Sequence, residues 1–467
     1  MVGASRAAGR RLAAIAVAVA ATSLWQPRAA RGAGFASARF GGEHGNVTTT
    51  NPTALYYNPA GIGFSNGVHL YVDGTLAVRR VTWEHPPSPN DPPDPAGGEG
   101  ANSGTAQLSN VFGAPMLGAS ARFGDLALGA AVYVPFGGRA HWSQNEAFVD
   151  HPTFPRAGDG VQRWHSIEGA LTYLYGTLGA AYRLGRVSVG ASVNLIRSSV
   201  VSRRARIFNP PEFAGLPVTD AEGRADIDVT GVHGSFGLGV MLEALEERLW
   251  LAASYQAQPA LGPMRLEGEL TFTDVDGARG SFDVTLDQAL PDIMRLGARY
   301  RPAAAWELRA FGDMTRWSVM RTQCVALVGS RCVVTSTGAY VDAGGVWLNL
   351  RRYWRNTYAL RAGASHWLEP ELELFAGAGF ETAATPDDTL DPELPDSNTL
   401  SGALGARWQP ISKLFLAGSY THIHYFDRDN VGKSRLPFAE PPTRRPDGGG
   451  RYSQWIGVFN LNVEKAF

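Results

Sequence analysis

The last segment of the chain alternates between apolar and increasingly polar positions. Because successive side chains of a strand point to opposite faces, this pattern predicts a strand that runs to Phe467, the last residue. One face carries the apolar positions and the other turns polar towards its end, the two sets being Trp455, Gly457, Phe459, Leu461 and Val463, and Ile456, Val458, Asn460, Asn462 and Glu464.

The same alternation, bounded by turn residues, recurs along the chain and predicts about fourteen strands. The strands are predicted near 67–80, 112–123, 126–137, 168–183, 186–200, 228–243, 248–275, 280–301, 305–320, 354–367, 371–384, 398–409, 413–427 and 453–467.

The connections between these strands alternate between short and long. The short ones are Gly124-Asp125, Gly185, Glu246-Glu247, Pro302-Ala303-Ala304, Glu369-Pro370 and Pro410-Ile411, and the long ones are 81–111, 138–167, 201–227, 321–353, 385–397 and 428–452. Only the Asp276-Gly277 link is short where a long one is due. Short turns on one side and long loops on the other are typical of bacterial outer-membrane barrels, which also end on a terminal aromatic strand. The sequence therefore predicts an all-β fold, a transmembrane antiparallel β-barrel of about 14 strands.

The tryptophans are consistent with two aromatic girdles at the membrane surfaces. They fall into two groups by strand end: Trp250, Trp306, Trp367 and Trp408 near short turns, and Trp83, Trp164, Trp317, Trp354 and Trp455 towards long loops.

The composition narrows the function classes. Only 18% of residues are charged, below the roughly 25% of an average soluble domain, and the net charge is −1 without a basic stripe. Nucleic-acid binding is therefore excluded. There is no Gly-x-Ser-x-Gly nucleophile motif, phosphate loop or dinucleotide fingerprint, so neither an enzyme nor a cofactor is expected.

The N-terminus predicts a secretory signal peptide over residues 1–32. Arg6, Arg10 and Arg11 form its basic region, Leu12 to Leu24 its apolar region, and cleavage is expected after Gly32. The barrel would then occupy 67–467, with a separate segment, 33–66, before it.

Two pairs of residues invite a chemical role. Cys324 and Cys332 are expected to form a disulfide in an exported protein. His422 and His424 share one strand face, but no third ligand is evident, so no metal site is expected.

Segment 33–66 does not alternate, yet it contains apolar residues and turn formers such as Asn58-Pro59. Two interpretations are open: it either folds into the lumen as a plug or is an ordinary periplasmic extension.

Several motifs resemble one family. Ala33-Gly34-Phe35 and Tyr57-Asn58-Pro59-Ala60-Gly61 are similar to the N-terminal hatch of FadL/TodX-type outer-membrane transporters. Further similarity covers much of the C-terminal half, at Leu290-Pro291-Asp292 with Leu296-Gly297 and Tyr300, Trp306 to Trp317-Ser318, Trp354 to Tyr358 with Leu360-Arg361 and Gly363, and Phe380-Glu381-Thr382 leading to Pro395-Asp396.

The resemblance implies gated, energy-independent uptake of long-chain fatty acids or similar hydrophobic molecules through a barrel of the bacterial outer membrane. The hatch would lie in the lumen, and its gating residues would be Phe35, Asn58, Pro59, Ala60 and Gly61. The expected partners are the hydrophobic ligand, outer-membrane lipid and lipopolysaccharide, and the barrel-assembly machinery during biogenesis. Nucleic acid is not expected as a partner, and the protein is expected to be a monomer.

A cation inside the barrel could hold a ligand carboxylate. Alternation turns Arg295, Arg299 and Arg361 towards the lumen, together with Trp317. Arg299 or Arg361 is the candidate for the head group; the other interpretation is that these arginines pair with lumen carboxylates, which are routine in barrels.

Other functions are open. The same architecture could take up monoaromatic hydrocarbons, which an apolar lumen without a head-group cation would favour. A structural or adhesive barrel would not need a hatch, and an embedded lipase would need a serine–histidine pair that the sequence does not bring together.

Overall fold

A computed structural model describes residues 39–467, except 93, 95, 208–221, 275–276 and 342–344. The predicted signal peptide and Phe35 lie outside the described residues. The described part contains eighteen strands in one antiparallel sheet. In chain order, β1 to β18 are Val68–His85, Gly104–Phe123, Leu126–His141, Glu168–Leu184, Val187–Ile207, Glu222–Leu245, Leu249–Gln256, Met264–Thr273, Arg279–Gln288, Ile293–Ala303, Trp306–Thr315, Thr322–Leu327, Val346–Arg351, Thr357–Glu369, Leu372–Glu381, Thr399–Ile411, Leu414–Asp429 and Arg451–Ala466.

Fourteen of these strands close into a ring. The ring runs β1 to β7, then β10, β11 and β14 to β18, each pairing with its neighbour. The C-terminal β18 closes it by pairing with β1 from His69↔Ala466 to Glu84↔Arg451. Closure leaves the ring without a free edge strand, which is what a sheet needs in order to cross a membrane. The predicted 14-strand antiparallel barrel is confirmed.

Alternation sorts the side chains of the ring by face. On β1, Leu70, Val72 and Leu76 are exposed on the outside, whereas Tyr71 and Asp73 are buried on the inside. A membrane barrel requires this inversion, because its outer surface contacts lipid and its inner surface contacts polar partners.

The remaining four strands correct the sequence prediction. Segments 248–275 and 280–301 were each predicted as one strand, but each contains two. β8, β9, β12 and β13 form a sheet that continues from β6 and is not part of the ring. Alternation continues on both sides of each break, so the pattern alone does not reveal where the chain leaves the wall. Breaks at 257–263 and 289–292 carry prolines, which cannot donate to a ladder.

This correction removes the exception in the loop pattern. The Asp276-Gly277 link lies between β8 and β9, within the long excursion that joins β7 to β10. The excursion is therefore the long connection that the alternation requires.

The tryptophan prediction is correct for one subset only. Trp306, Trp408 and Trp455 are exposed on the outer surface, as girdle residues should be. The others at strand ends do not face outwards: Trp250, Trp83, Trp164, Trp317 and Trp354 are buried, and Trp367 stacks on the inward-facing Arg301. How close a residue lies to the end of a strand does not determine whether its side chain faces lipid or the lumen. That depends on whether its position is odd or even in the alternation along the strand.

In the described ranges, helical structure is limited to short turns. One α-helix, α1, spans Ala54–Tyr57, and the 3₁₀ turns are Gly42–His44, Pro59–Phe64, Glu146–Phe148, Pro155–Asp159, Val161–Trp164, Pro259–Leu261, Trp317–Val319 and Leu436–Phe438. No helix in the described ranges is long and apolar enough to cross a membrane.

Candidate functional site

Residues 39–66, here called the hatch, contact inward-facing side chains around the ring. Gly41 N donates to Asp73 on β1 at 2.6 Å, and His44 Nε2 lies 2.8 Å from Glu373 Oε1 on β15. Asn51 Nδ2 donates to Glu464 on β18 at 3.4 Å. These contacts come from distant parts of the ring, so the segment is consistent with a plug in the lumen.

The Asn58-Pro59-Ala60-Gly61 motif fastens the hatch to the wall at β5 and β6. Asn58 is fully buried, and its Nδ2 donates to Val47 O at 2.9 Å and to Val240 O on β6 at 3.1 Å. Its Oδ1 accepts from Ala60 N at 3.1 Å, which caps the Pro59–Phe64 turn. Ala60 O accepts from Ser188 on β5 at 2.7 Å. One asparagine thus joins two hatch segments to the barrel.

Two wall glycines make this close approach possible. A side chain on Gly190 would meet the Ala60 backbone, and one on Gly239 would meet the Asn58 amide. The wall is therefore shaped to receive this turn, since any larger residue there would push the hatch away.

The predicted head-group arginines have other partners. Arg361 pairs with Asp313 at 3.1 Å and Glu381 at 3.3 Å. Arg295 donates to Tyr56 O at 3.3 Å and lies over the Tyr56 ring at 4.6 Å, so it supports the hatch. Arg299 lies over Trp250 at 4.3 Å.

Trp317 is buried in an aromatic cluster. Its ring lies 5.0 Å from that of Trp354 and 6.2 Å from that of Phe136, both edge to face. It lines a cavity above the hatch, unlike the three arginines. Cys324 and Cys332 are disulfide-bonded, with Cα atoms 6.2 Å apart, and tether the end of β12 to the following loop.

Three cavities follow one another between the external loops and the hatch. We call them the outer, middle and inner cavities, with volumes of about 190, 80 and 120 Å³. Arg204, Ile227, Val325 and Leu348 line both the outer and middle cavities, and Arg79 and Leu394 line both the middle and inner ones. A cavity needs roughly 10–15 Å³ to hold one water molecule. The cavities therefore form a narrow passage and not an open pore.

The outer cavity combines cations with apolar surface. Its arginines are Arg204, Arg206, Arg444 and Arg445, and no carboxylate lines it among the described residues. Arg206 lies over the rings of Phe272 at 4.3 Å and Trp347 at 5.1 Å. Arg204 makes no ion pair or hydrogen bond with the part of the chain that the structure describes. Such a site suits an anion attached to an apolar group.

The middle cavity is mainly apolar, lined by residues such as Leu171, Val200, Ile227, Leu286 and Leu350. Arg79 lies at its inner end, buried, with one guanidinium nitrogen 2.6 Å from Gln454 and its Nε without a partner among the described residues. An apolar chain can therefore lie between cations at both ends.

Sequence reasoning missed Arg204 and Arg206 because the connection 201–227 was predicted as a loop. In the structure β5 continues to Ile207 and β6 begins at Glu222. Extending the alternation from the buried Ser198 and Val200 would have placed both arginines inwards. Alternation on β1 likewise turns Arg79 inwards and Arg80 outwards.

External loops fold over this passage through a buried ionic cluster. Arg352 pairs with Asp391 at 3.2 Å and Glu393 at 2.7 Å, and Arg445 pairs with the same carboxylates at 2.8 and 3.1 Å. All four belong to the segment after β13 or to the loops 382–398 and 430–450. The two loops are thereby joined to each other above the cavities.

Acidification is expected to loosen this loop cluster. Burial alone would raise the pKa of the Glu393 carboxyl, but Arg352 and Arg445 outweigh it and hold that pKa below 4.5. Burial and the nearby Arg445 hold the pKa of His165, in the loop before β4, well below 6.5. Each lowered pKa contributes stability that is present at high pH and lost as pH falls, first below 6.5 for His165 and then below 4.5 for Glu393.

Proteinase K digestion of the purified protein between about pH 7 and about pH 4 checks this expectation. The 430–450 loop should be cut faster at acid pH, after correction for protease activity on an unstructured peptide. Arg445→Gln should expose the loop at every pH. If the 430–450 loop stays equally protected at acid pH, the proposed effect of His165 and Glu393 on loop stability is contradicted.

The wall has a gap between β2 and β3. The two strands pair from Phe123↔Leu126 to Met116↔Tyr133, and the next backbone bridge is Leu108↔Trp142. Between these points the Asn110 side chain donates to Arg139 O at 2.5 Å, so the gap is one in the backbone ladder. A bulge at Val134-Pro135 shifts the register, so that Tyr133 and Phe136 both face inwards. Gly138, beyond the bulge, lines the middle cavity. The gap therefore lies beside the passage.

Catalytic or metal chemistry finds no support in the described residues. In the ranges that the structure covers, no group of three or more His, Cys, Asp or Glu side chains could hold a metal ion. His422 and His424 are exposed on the outer face of β17.

Comparison with solved structures gives barrels of the same fold. A Pseudomonas aeruginosa FadL homologue superposes with a TM-score of 0.74 at 19% identity, over 93% of this chain and 98% of that one. The toluene transporter TbuX of Ralstonia pickettii gives 0.60 at 17% identity, and TodX of Pseudomonas putida 0.64 at 16%, each over 94% of this chain and 99% of the other. No match was found among curated proteins.

The family comparison is decisive. The model for outer membrane transport proteins (OMPP1/FadL/TodX) matches residues 12–435, most of the chain. The closed barrel, the hatch contacts and the apolar passage agree with a transporter and not with an enzyme. The chain thus belongs to the OMPP1/FadL/TodX family, whose members are β-barrel transporters of hydrophobic compounds in the bacterial outer membrane.

Proposed function

We propose that this protein takes up long-chain fatty acids, or similar hydrophobic molecules that carry a carboxylate. The outer cavity carries this proposal: it has four arginines, aromatic rings and, among the described residues, no acid in its lining. Arg445 is already paired with Asp391 and Glu393. A bare hydrocarbon would leave the charges of Arg204 and Arg206 unused, whereas a carboxylate would form charge-assisted hydrogen bonds with them.

The middle cavity supplies the driving force for the acyl chain. Each methylene that leaves water for its apolar lining gains roughly 0.8 kcal/mol. Arg79 at the inner end offers a second cation after the chain has moved inwards. The ligand would thus pass from the outer to the inner cavity without entering bulk water.

Gating rests on the hatch. Asn58, Pro59, Ala60 and Gly61 are the proposed gating residues, because the turn that they form holds the hatch against β5 and β6. The gap between β2 and β3 offers an exit through the wall, since it lies beside the middle cavity. A closed lumen and a side exit fit a hydrophobic cargo, which partitions into lipid more readily than into periplasmic water.

Uptake of monoaromatic hydrocarbons is the second candidate. It is favoured by the apolar lining of the middle cavity and is in keeping with the names of the toluene transporters TbuX and TodX. The two candidates differ in their need for a cation, which makes the outer arginines the discriminating feature.

Arg204→Gln with Arg206→Gln is expected to lower oleate uptake about tenfold or more. A hydrogen bond to a charged group contributes about 1.5–3 kcal/mol, and 1.4 kcal/mol is a factor of ten. The measurement is uptake of labelled oleate by cells that lack their own transporter and display this barrel. Uptake of labelled toluene should change little, because toluene has no head group.

Arg203→Gln is the matched control. Arg203 precedes Arg204 on β5 but faces outwards, where it pairs with Glu168 at 2.8 Å and with Asp226. Its loss should leave oleate uptake unchanged. Equal oleate uptake by the double variant would contradict the carboxylate proposal, and toluene uptake without oleate uptake would favour the second candidate.

A further inference from the structure

Three side chains form one row on the outer surface of the barrel. The register of β1, β18 and β17 pairs Arg80 with Trp455 and Trp455 with His424. Arg80 and His424 are exposed, and Trp455 is 37% exposed. Neighbouring strands lie about 4.8 Å apart, so Arg80 and His424 lie on either side of Trp455 in the sheet.

The row lies at the outer edge of the apolar band. Trp455 is ten residues before Lys465 on β18, which corresponds to roughly 26 Å at a 3.4 Å rise and a 40° tilt. Phe459, Leu461 and Val463, on the outer face between them, are 41–70% exposed. Since the apolar band of such barrels is about 25 Å tall, the row is level with the head groups of the outer leaflet.

Arg80 has no partner in the part of the chain that the structure describes. It makes no hydrogen bond, ion pair or ring contact with the described residues, although Trp455 lies opposite it on β18. The carboxylates nearest along these strands are Glu84 on β1 and Asp427 on β17, both exposed and farther towards the loops. Asp429, farther along β17, pairs with Arg451 at 3.3 Å. Within the described ranges Arg80 therefore has no ion-pair partner.

The surroundings add hydrogen-bond donors. Thr82 and Ser453 lie across from each other one step farther out. His422 lies one step farther in, stacked on Trp455 at 5.8 Å and 3.2 Å from the Tyr420 hydroxyl. The aromatic rings of Trp455 and Tyr420, the guanidinium of Arg80 and two imidazoles thus lie at the boundary between the head groups and the apolar band.

We propose that Arg80, His424 and Trp455 bind the phosphate group of a lipid in the outer leaflet. A guanidinium matches a phosphate geometrically and electrostatically, basic residues beside a membrane attract anionic lipid head groups, and an indole packs on the adjoining glycolipid at interface depth. The site lies on the opposite face of the wall from Arg79 and the cavities, so it does not depend on the transported substrate.

Native mass spectrometry of the detergent-solubilised full chain tests the site, with bisphosphorylated lipid A as the probe. One basic residue near a membrane surface contributes about 1 kcal/mol to lipid binding. Arg80→Gln with His424→Gln should therefore weaken lipid A binding at least about fivefold. Arg248→Gln is the control, because Arg248 is exposed at the opposite end of the barrel, where it lies over Tyr300 at 5.9 Å. It should leave binding unchanged.

Dephosphorylated lipid A and inorganic phosphate separate the sources of the interaction. The wild-type protein should bind the dephosphorylated lipid less tightly, and free phosphate at the same concentration should not displace lipid A. This comparison also decides the matter if the double variant does not fold. Equal binding of both lipids, equal binding by the double variant, or displacement by free phosphate would overturn the proposal.

Discussion

Deletion of residues 39–64 is expected to convert the barrel into an open channel for hydrophilic solutes. In the structure the hatch packs buried side chains against the inner wall, among them Phe40, Leu55 and Ile62, each at most 2% exposed, as a plug would. Barrels only slightly larger leave a water-filled channel when nothing occupies the lumen. Removal of the hatch should therefore let sugars through at a rate typical of porins.

Liposome swelling with a small sugar measures this effect. The full chain should give no swelling, and the deletion variant should give rapid swelling while its fourteen-strand ring still shows the heat-modifiable migration of a folded barrel. Asn58→Ala should lie between them. It removes the bonds to Val47 O and Val240 O and leaves buried groups unpaired, at about 1–3 kcal/mol each.

A folded deletion variant that remains closed would show that another segment blocks the lumen. The external loops joined by Arg352 and Arg445 would then be the barrier. Deleting the hatch in an Arg445→Gln background would decide between these barriers.

Gly138→Trp is expected to block transport through the middle cavity. Gly138 faces inwards beyond the β3 bulge and lines this cavity together with Ala140, Gly169 and Ala170. An indole there fills the space beside the β2–β3 gap. A ligand that enters this space must crowd against the indole, and such overpacking costs about 1–3 kcal/mol. Since 1.4 kcal/mol is a factor of ten, uptake of labelled oleate should fall about tenfold or more.

Gly176→Trp is the control for the size of the added side chain. Gly176 lies on the outer face of β4, between the exposed Leu174 and Leu178, where an indole meets lipid and not the passage. Its oleate uptake should equal that of the wild type. Wild-type uptake by Gly138→Trp would place the route elsewhere.

The ring was predictable because its strands obey one local rule. β18 and β1 alternate along nearly their whole length, and closure requires every strand to keep its apolar face outwards. The external sheet was not predictable by that rule. β8 continues the alternation of β7 after a short interruption, so nothing local distinguishes a strand in the wall from one beyond it.

The inward-facing cations were only partly predictable. Alternation correctly turned Arg361 and Arg295 inwards, but it cannot identify partners that are distant in sequence, such as Glu381 or the backbone of Tyr56. Arg204 was missed for the opposite reason. β5 extends beyond the membrane, and the assignment of 201–227 to a loop removed that residue from the inward face.

The hatch motif was recognisable by its residues, but its role depends on contacts across the fold. Asn58 meets Val240, which is 182 positions away, and its close approach depends on Gly190 and Gly239 in the wall. A motif indicates that a turn is present; the ring determines what the turn is fastened to.

The most direct test of the central claim is a crystal structure of the protein with 9,10-dibromostearate, located by anomalous scattering from bromine. The fatty-acid carboxylate should lie within hydrogen-bond distance of Arg204 or Arg206, and the bromine peaks should lie in the middle cavity. Bromine peaks confined to the outer, lipid-facing surface of the barrel would contradict the claim that a carboxylate-bearing hydrophobic ligand passes through the arginine-lined cavities.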